Sequence, residues 1–442
     1  MAMRGWMGIV MLTLAVAGGY AGWQQWGPLP DSVAARVDGT VIPVATLDVF
    51  VAAARHSDPD ISRESVLKGL VENRLLAEVA RVGHDEHHHP ERVGYALRTR
   101  LEQQRFKLIR TAYADALRSA VMADGMADSL NSLTAPLALS RESLAPILML
   151  DQTLYSTLTD DQQQAARHLV LARYRFADTQ PEQTLTLWDL YRRQNIQLKV
   201  QMHNLNLDFM REAVRQALTM AYVFHWFETR SGLSEQAIAA VDRALHDALQ
   251  RETLMHEMGL MQDIHDDNPQ LRELASRVTP AQIADYYAAN RDQFMRVERV
   301  RARHLRVNSQ QQADRVYALI KDGLPFSEAV ARYSQAADRE QGGELGWMDR
   351  ASRQDDWTRA LAFVQPQGVV SPPFRSPAAN GDPHWELFLV EEKVTAYQNP
   401  DSESVRYRAS RAVAQTQLQE RFQALLADVT GRASLRVNQA VL

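Results

Sequence analysis

Apolar and polar positions along this chain change period several times, and each change marks an element. From Val300 to Val307 they alternate, which makes a half-buried strand. Ala313, Val316, Tyr317 and Ile320 then recur at three- and four-residue spacing, a helix, and Gly323 stands where a helix stops. After Pro325, a shorter helix carries Phe326, Ala329, Val330 and Tyr333 on its apolar side. Gly342-Gly343-Glu344-Leu345-Gly346-Trp347 is a glycine-rich bend ahead of an aromatic residue. Trp357 to Phe363, the segment Gly368 to Pro373 and a last strand, Glu386 to Val390, complete this part of the pattern.

Toward the N-terminus, Val33 to Pro43 reads as a β-hairpin around Asp38-Gly39, a favoured two-residue turn. A helix from Val44 to Arg55 follows. Ser62 caps a stronger one with Val66, Leu67, Leu70, Val71, Leu75, Val79 and Val82 on one face, ended by Gly83. The spacing predicts a long amphipathic helix from Glu91 to about Met122, and helices over Gln162–Tyr174 and Phe209–Glu228. Leu198, Val200 and Met202 alternate, which predicts a strand over Ile196–Leu205. Thr279-Pro280-Ala281-Gln282 is a helix start with a Thr cap, Pro at the first position and Gln closing the box. The C-terminal pattern is a helix over Glu403–Val429 stopped by Gly431, then a short strand over Ala433–Asn438.

Composition narrows the function classes. The 442 residues allow two or three domains, and a net charge of −5 without a basic stripe argues against nucleic acid. With 0 cysteines, disulfides, thiolate catalysis and Cys-based metal sites are excluded, as is a lipidated lipoprotein. Arg4 precedes an uncharged run from Gly5 to Trp23, about the ~20 residues that span a bilayer. Its length and its aromatic ends (Trp6, Tyr20, Trp23, Trp26) favour a retained anchor, while Ala15-Val16-Ala17 would also fit signal cleavage. Either way the rest of the chain is exported. His84-Asp85-Glu86-His87-His88-His89 has metal-ligand chemistry, but adjacent histidines in a loop diverge, and a solvated loop closed by Pro90 is the favoured reading. The abundant Met, Leu and aromatic residues of the middle section form helix cores or line a cleft for unfolded chain; the pattern does not separate these.

The order strand, helix, Gly-x-Pro-Phe, helix ending Tyr333-Ser334, then Gly342-Gly343-Glu344-Leu345-Gly346-Trp347 resembles the parvulin (PpiC-type) peptidyl-prolyl cis-trans isomerases. Gly368-Val369-Val370-Ser371-Pro372-Pro373 continues the likeness, which covers residues 298–396. Ala35 to Ile42, with Val66 to Ala80, is similar to the N-terminal region of the SurA and PpiD periplasmic chaperone-isomerases.

The resemblance implies an α+β, mostly α fold: a helical chaperone body with an inserted parvulin-like domain of a small antiparallel sheet and flanking helices, behind an N-terminal membrane helix. The expected segments are 1–26 (anchor or signal), 31–297 (chaperone region), 298–396 (isomerase domain) and 399–442 (C-terminal helix and strand returning to the body). It implies a periplasmic folding factor, single-pass in the inner membrane or soluble after cleavage, acting on unfolded or newly exported chains and their X–Pro segments. No cofactor or metal is implied. The family's catalytic positions fall on His304, Ala336 and Glu386, two of them substituted, and its substrate-binding positions on Leu345, Arg353, Trp357 and Phe363. Ala336 stands where many parvulins have Cys or Asp, Glu386 where a second histidine is expected, and Arg353 where Met is common. A two-residue shift would put His384 in that histidine's place. His304 is expected to be a buried, hydrogen-bonded imidazole more than a proton carrier. These departures leave a binding module without efficient catalysis as the alternative to an active isomerase.

Overall fold

The structure is a computed structural model that describes residues 29–83, 97–150, 157–177, 179–261, 268–350, 357–377 and 383–442. The expected membrane segment, the His84–His89 loop and Arg353 lie outside these residues. Among the described residues no helix is long and apolar enough to cross a membrane. The fold is mostly helical with small antiparallel sheets, an α+β class. Contacts divide the chain into two compact units, one of residues 1–268 with 418–442, the other of residues 269–417.

In the first unit the hairpin forms as the Asp-Gly signal predicts: Val33–Val37 pairs with Thr40–Pro43, and both turn residues take positive φ, 46° at Asp38 and 84° at Gly39. The strand Leu435–Val437 adds to the other side of Val33–Val37, so the two ends of the described chain share one sheet. Helices Val44–Arg55 and Arg63–Gly83 cover it. The second starts because Ser62 Oγ accepts from the Ser65 N–H at 3.1 Å, and its apolar stripe Val66, Leu67, Leu70, Val71 and Leu75 is buried against Leu47, Val51, Phe422 and Leu435. Each such side chain contributes on the order of 1.5–3 kcal/mol of transfer free energy.

Four expectations for the helical region need correction. The segment Ile196–His203 is a helix, not a strand: Asn195 Oδ1 caps it by accepting from the Leu198 N–H at 2.9 Å. Its Gln, Leu, Lys and Met residues are good helix formers, and the three alternating positions are too few to set a strand. The helix expected over Gln162–Tyr174 stops at His168; Val170–Tyr174 is a strand paired with Gln183–Thr186. The long helix to Met122 is two helices, Leu97–Ala112 and Ala114–Ala123. Tyr113 sits at the break, its ring edge-on to Trp226 at 5.4 Å and Phe227 at 5.9 Å. Gly431 does not stop the last helix, which runs from Glu403 to Arg432.

In the second unit the Thr279–Gln282 capping box is made on both sides, starting the helix Pro280–Ala289. A four-stranded antiparallel sheet follows, in the order Glu344–Asp349, Met295–Val307, Trp385–Tyr397, Phe374–Arg375. Its two central strands are longer than their alternating cores because Met295–Val297 and Thr395–Tyr397 also pair, through charged and exposed residues that carry no periodic signal. One sheet face packs Leu305, Val307 and Leu387 on Ala313, Val316, Phe326, Ala329 and Val330 of the helices Gln310–Lys321 and Phe326–Tyr333. On the other face Val300, Ala302 and Val390 meet Ala362 of the helix Trp357–Val364. That second face carries the candidate site.

Candidate active site

His304 lies on the strand Met295–Val307 directly opposite Phe388, and Arg306 opposite Glu386. All four therefore share the second face, since directly paired residues in a sheet point the same way. His304 is 5 % exposed and Glu386 is 0 % exposed. The imidazole is held at both ends: Nδ1 lies 2.7 Å from Glu386 Oε2, and Nε2 lies 2.8 Å from Asp338 Oδ2. Burial by itself would lower the pKa of His304, but the hydrogen bonds and charges of Glu386 and Asp338 outweigh it and raise the pKa. Arg306 Nε donates to the other Glu386 oxygen at 2.7 Å, and His384 Nε2 stands 3.6 Å from that same oxygen.

The glycine pair sets how closely the neighbouring strand approaches His304. The His304 N–H donates to the Gly343 carbonyl at 2.8 Å. Gly343 has φ +66°, and a Cβ there would lie 2.1 Å from the His304 carbonyl oxygen. Only glycine fits this approach.

The apolar part of the site has two pieces. Trp357 packs edge-on against Phe388 with ring centroids 6.0 Å apart, and against His384 at 6.3 Å. Phe374 closes the other side of Phe388 at 6.4 Å, and the imidazole of His304 stacks on Phe388 at 6.5 Å. Leu345 and Phe363 belong to the adjoining cluster with Val300, Ala302 and Val390, and the Arg350 guanidinium lies over the Phe363 ring at 4.6 Å. Trp357, Leu345 and Phe363 are all half-buried. Ala336 is buried, and its N–H donates to Ser334 Oγ at 3.3 Å.

Of the two residues competing for the second histidine's place, Glu386 is the one that contacts His304, with His384 two residues before it. Sequence reasoning missed Asp338, Arg306 and Phe388. Arg306 and Phe388 were reachable, because a period of two puts them on the face of His304 and Glu386. Asp338 was not: it arrives through the turn Arg339–Gln341, whose fold depends on the Gly343 N–H bonding the Asp338 carbonyl at 2.9 Å.

This geometry suits binding and polarising a neutral group. It offers an aromatic wall, a buried imidazole fixed between carboxylates, and no hydroxyl or thiol at Ala336 to act as a nucleophile.

The family comparison falls on the same region. The family described as the PPIC-type PPIase domain matches residues 278–406. A putative peptidyl-prolyl cis-trans isomerase, Cbf2 of Campylobacter jejuni, is 29% identical over 103 residues, covering 22% of this chain and 37% of its own length. The chaperone SurA of Thiobacillus denitrificans is 28% identical over 141 residues, 30% of each chain. The foldase PrsA of Bacillus subtilis is 28% identical over 100 residues, 23% of this chain and 32% of its own length. The chain thus matches only about a third of the length of these curated relatives. A solved SurA-like chaperone of Campylobacter jejuni aligns over 92% of this chain and 100% of its own at 13% identity, with a TM-score of 0.28, too low to support an argument. The family match and the site described above fall together, in residues 278–406, the part of the chain that is similar to the PPIC-type PPIase domain.

Proposed function

We propose that the chain is a peptidyl-prolyl cis-trans isomerase and folding chaperone for exported proteins. The observation that carries this reading is the half-buried Trp357 ring packed on the buried Phe388, which in turn stacks on a histidine locked between Glu386 and Asp338. Rotation about an X–Pro bond crosses a barrier of ~18–20 kcal/mol and breaks no covalent bond. A catalyst needs to hold the proline ring, exclude water from the twisting amide and favour the twisted state. In this reading Trp357, Leu345 and Phe363, with Arg353, bind the proline segment. His304 is a positioning residue, fixed by Glu386 and Asp338, and Ala336 contributes shape only.

The body of residues 31–297 and 399–442 would hold unfolded chain, with the isomerase domain at 298–396. The uncharged run over residues 1–26 would anchor the protein in the inner membrane with its bulk in the periplasm, or be removed as a signal. A second reading, a binding module without turnover, is favoured by one feature. Glu386 already serves His304 and Arg306, and Ala336 has no polar atom in its side chain, so few polar groups are left for the amide. Two-dimensional exchange NMR on an X–Pro peptide separates the two readings: exchange accelerated by catalytic amounts of the full chain supports the first, and peptide shifts without exchange support the second.

A further inference from the structure

We propose that Arg306 reads an acidic side chain next to the substrate proline, so that the site prefers Glu–Pro or Pro–Glu segments to neutral or basic ones. The proposal rests on the isomerase reading above.

Arg306 follows His304 by two residues on the same strand face. Its Nε is committed to Glu386 Oε1 at 2.7 Å, and that carboxylate is fully buried. The Arg306 side chain itself is 38% exposed, and among the described residues no hydrogen bond engages its two Nη atoms. A buried carboxylate thus holds the guanidinium by its Nε, and the edge formed by the two Nη atoms takes no hydrogen bond among the described residues. That edge matches the geometry of a carboxylate.

Two groups link Arg306 to the aromatic wall. His384 lies 3.6 Å from the Glu386 oxygen that Arg306 binds, and its ring is 6.3 Å from Trp357. One carboxylate and one imidazole therefore separate Arg306 from the wall. An extended peptide advances ~3.3–3.6 Å per residue, so a residue flanking a proline held against Trp357 comes within side-chain reach.

The other charges nearby do not remove this bias. Asp338 binds the opposite nitrogen of His304 and is on the far side of the ring from Glu386. Arg375 is opposite Trp385, on the other sheet face, and stacks over that ring at 5.9 Å. Glu386 is shared between His304 and Arg306 and is buried away from any ligand.

The test is exchange NMR with the full chain and the peptides Ala-Glu-Pro-Phe, Ala-Gln-Pro-Phe, Ala-Lys-Pro-Phe and Ala-Ala-Pro-Glu. The expected order is Glu over Gln over Lys, with a Glu-to-Gln ratio in kcat/KM of roughly three- to ten-fold that shrinks with added salt. Arg306→Gln should bring that ratio close to one, and Arg306→Lys should retain part of it. The Ala-Ala-Pro-Glu arm tells whether the acidic residue is read before or after proline. Equal rates for Glu, Gln and Lys, a preference for Lys, or a ratio unchanged in R306Q would overturn the proposal and leave the isomerase reading standing. If no peptide exchanges, the isomerase reading fails, and the charge order of peptide affinities from the same spectra decides the role of Arg306. R306Q leaves Glu386 with one partner fewer, so R306Q/E386Q replaces it should the single variant not fold; should both fail, the wild-type series decides.

Discussion

His304 Nδ1 and Glu386 Oε2 are 2.7 Å apart on adjacent strands, with the carboxylate fully buried and the other end of the imidazole on Asp338. Two carboxylates facing one imidazole favour its protonated form, which is why its pKa is raised despite burial. The consequence for stability has a definite sign. A group with a raised folded-state pKa contributes its full stabilisation below its unfolded pKa, about 6.5 for histidine, and loses it as pH climbs through the folded value. The difference in melting temperature between the wild type and His304→Gln should therefore be larger at pH 6 than at pH 9. Thermal melts across that range check this, and a difference that grows with pH contradicts it.

Gly343→Ala should destabilise the isomerase domain by about 2 kcal/mol or more, since the new Cβ would meet the His304 carbonyl in a left-handed backbone conformation. Denaturant unfolding gives the value. Gly346→Ala is the control: its φ is also positive, 68°, but nothing lies within 4 Å of an added Cβ, so its cost should be smaller.

Trp357→Ala should weaken binding of proline peptides roughly ten-fold while the domain stays folded, because the ring is half-buried and covers Phe388 from one side. Peptide titration followed by NMR measures the loss. Unfolding of the domain would mean that Trp357 belongs to the core and not to the pocket.

Met295 and Tyr397 are paired neighbours at the ends of the two central strands. Residues 296–396 can therefore be replaced by a short linker, since directly opposed strand residues are about 5 Å apart. The shortened protein should still slow aggregation of an unfolded client if the helical body holds most of the chain. Light-scattering of a refolding client tests this, and complete loss of the effect would place holding in the isomerase domain.

Much of the fold can be read from the residues because several elements are specified locally. Asp38-Gly39 fixes the hairpin, Thr279 with Gln282 fixes a helix start, and the alternation from Val300 to Val307 fixes a strand and its two faces. What is not local is missed. Ile196–His203 looks like a strand over three positions, yet a cap at Asn195 and tertiary burial of Met202 and His203 make it a helix. At the site, the family pattern points to the positions of His304 and Glu386, the second a departure from the expected histidine, and their shared face follows from the period of two. The second carboxylate, Asp338, comes from a turn thirty-odd residues away whose approach depends on the Gly342-Gly343 bend. Arg306 becomes meaningful only when the strand register places it across from Glu386.

The most direct test of the account is the rate of cis–trans exchange of an X–Pro peptide in the presence of the full chain. The account predicts exchange cross-peaks at sub-stoichiometric protein, weakened by Trp357→Ala. Peptide that binds with unchanged exchange, or that neither binds nor exchanges, would contradict it.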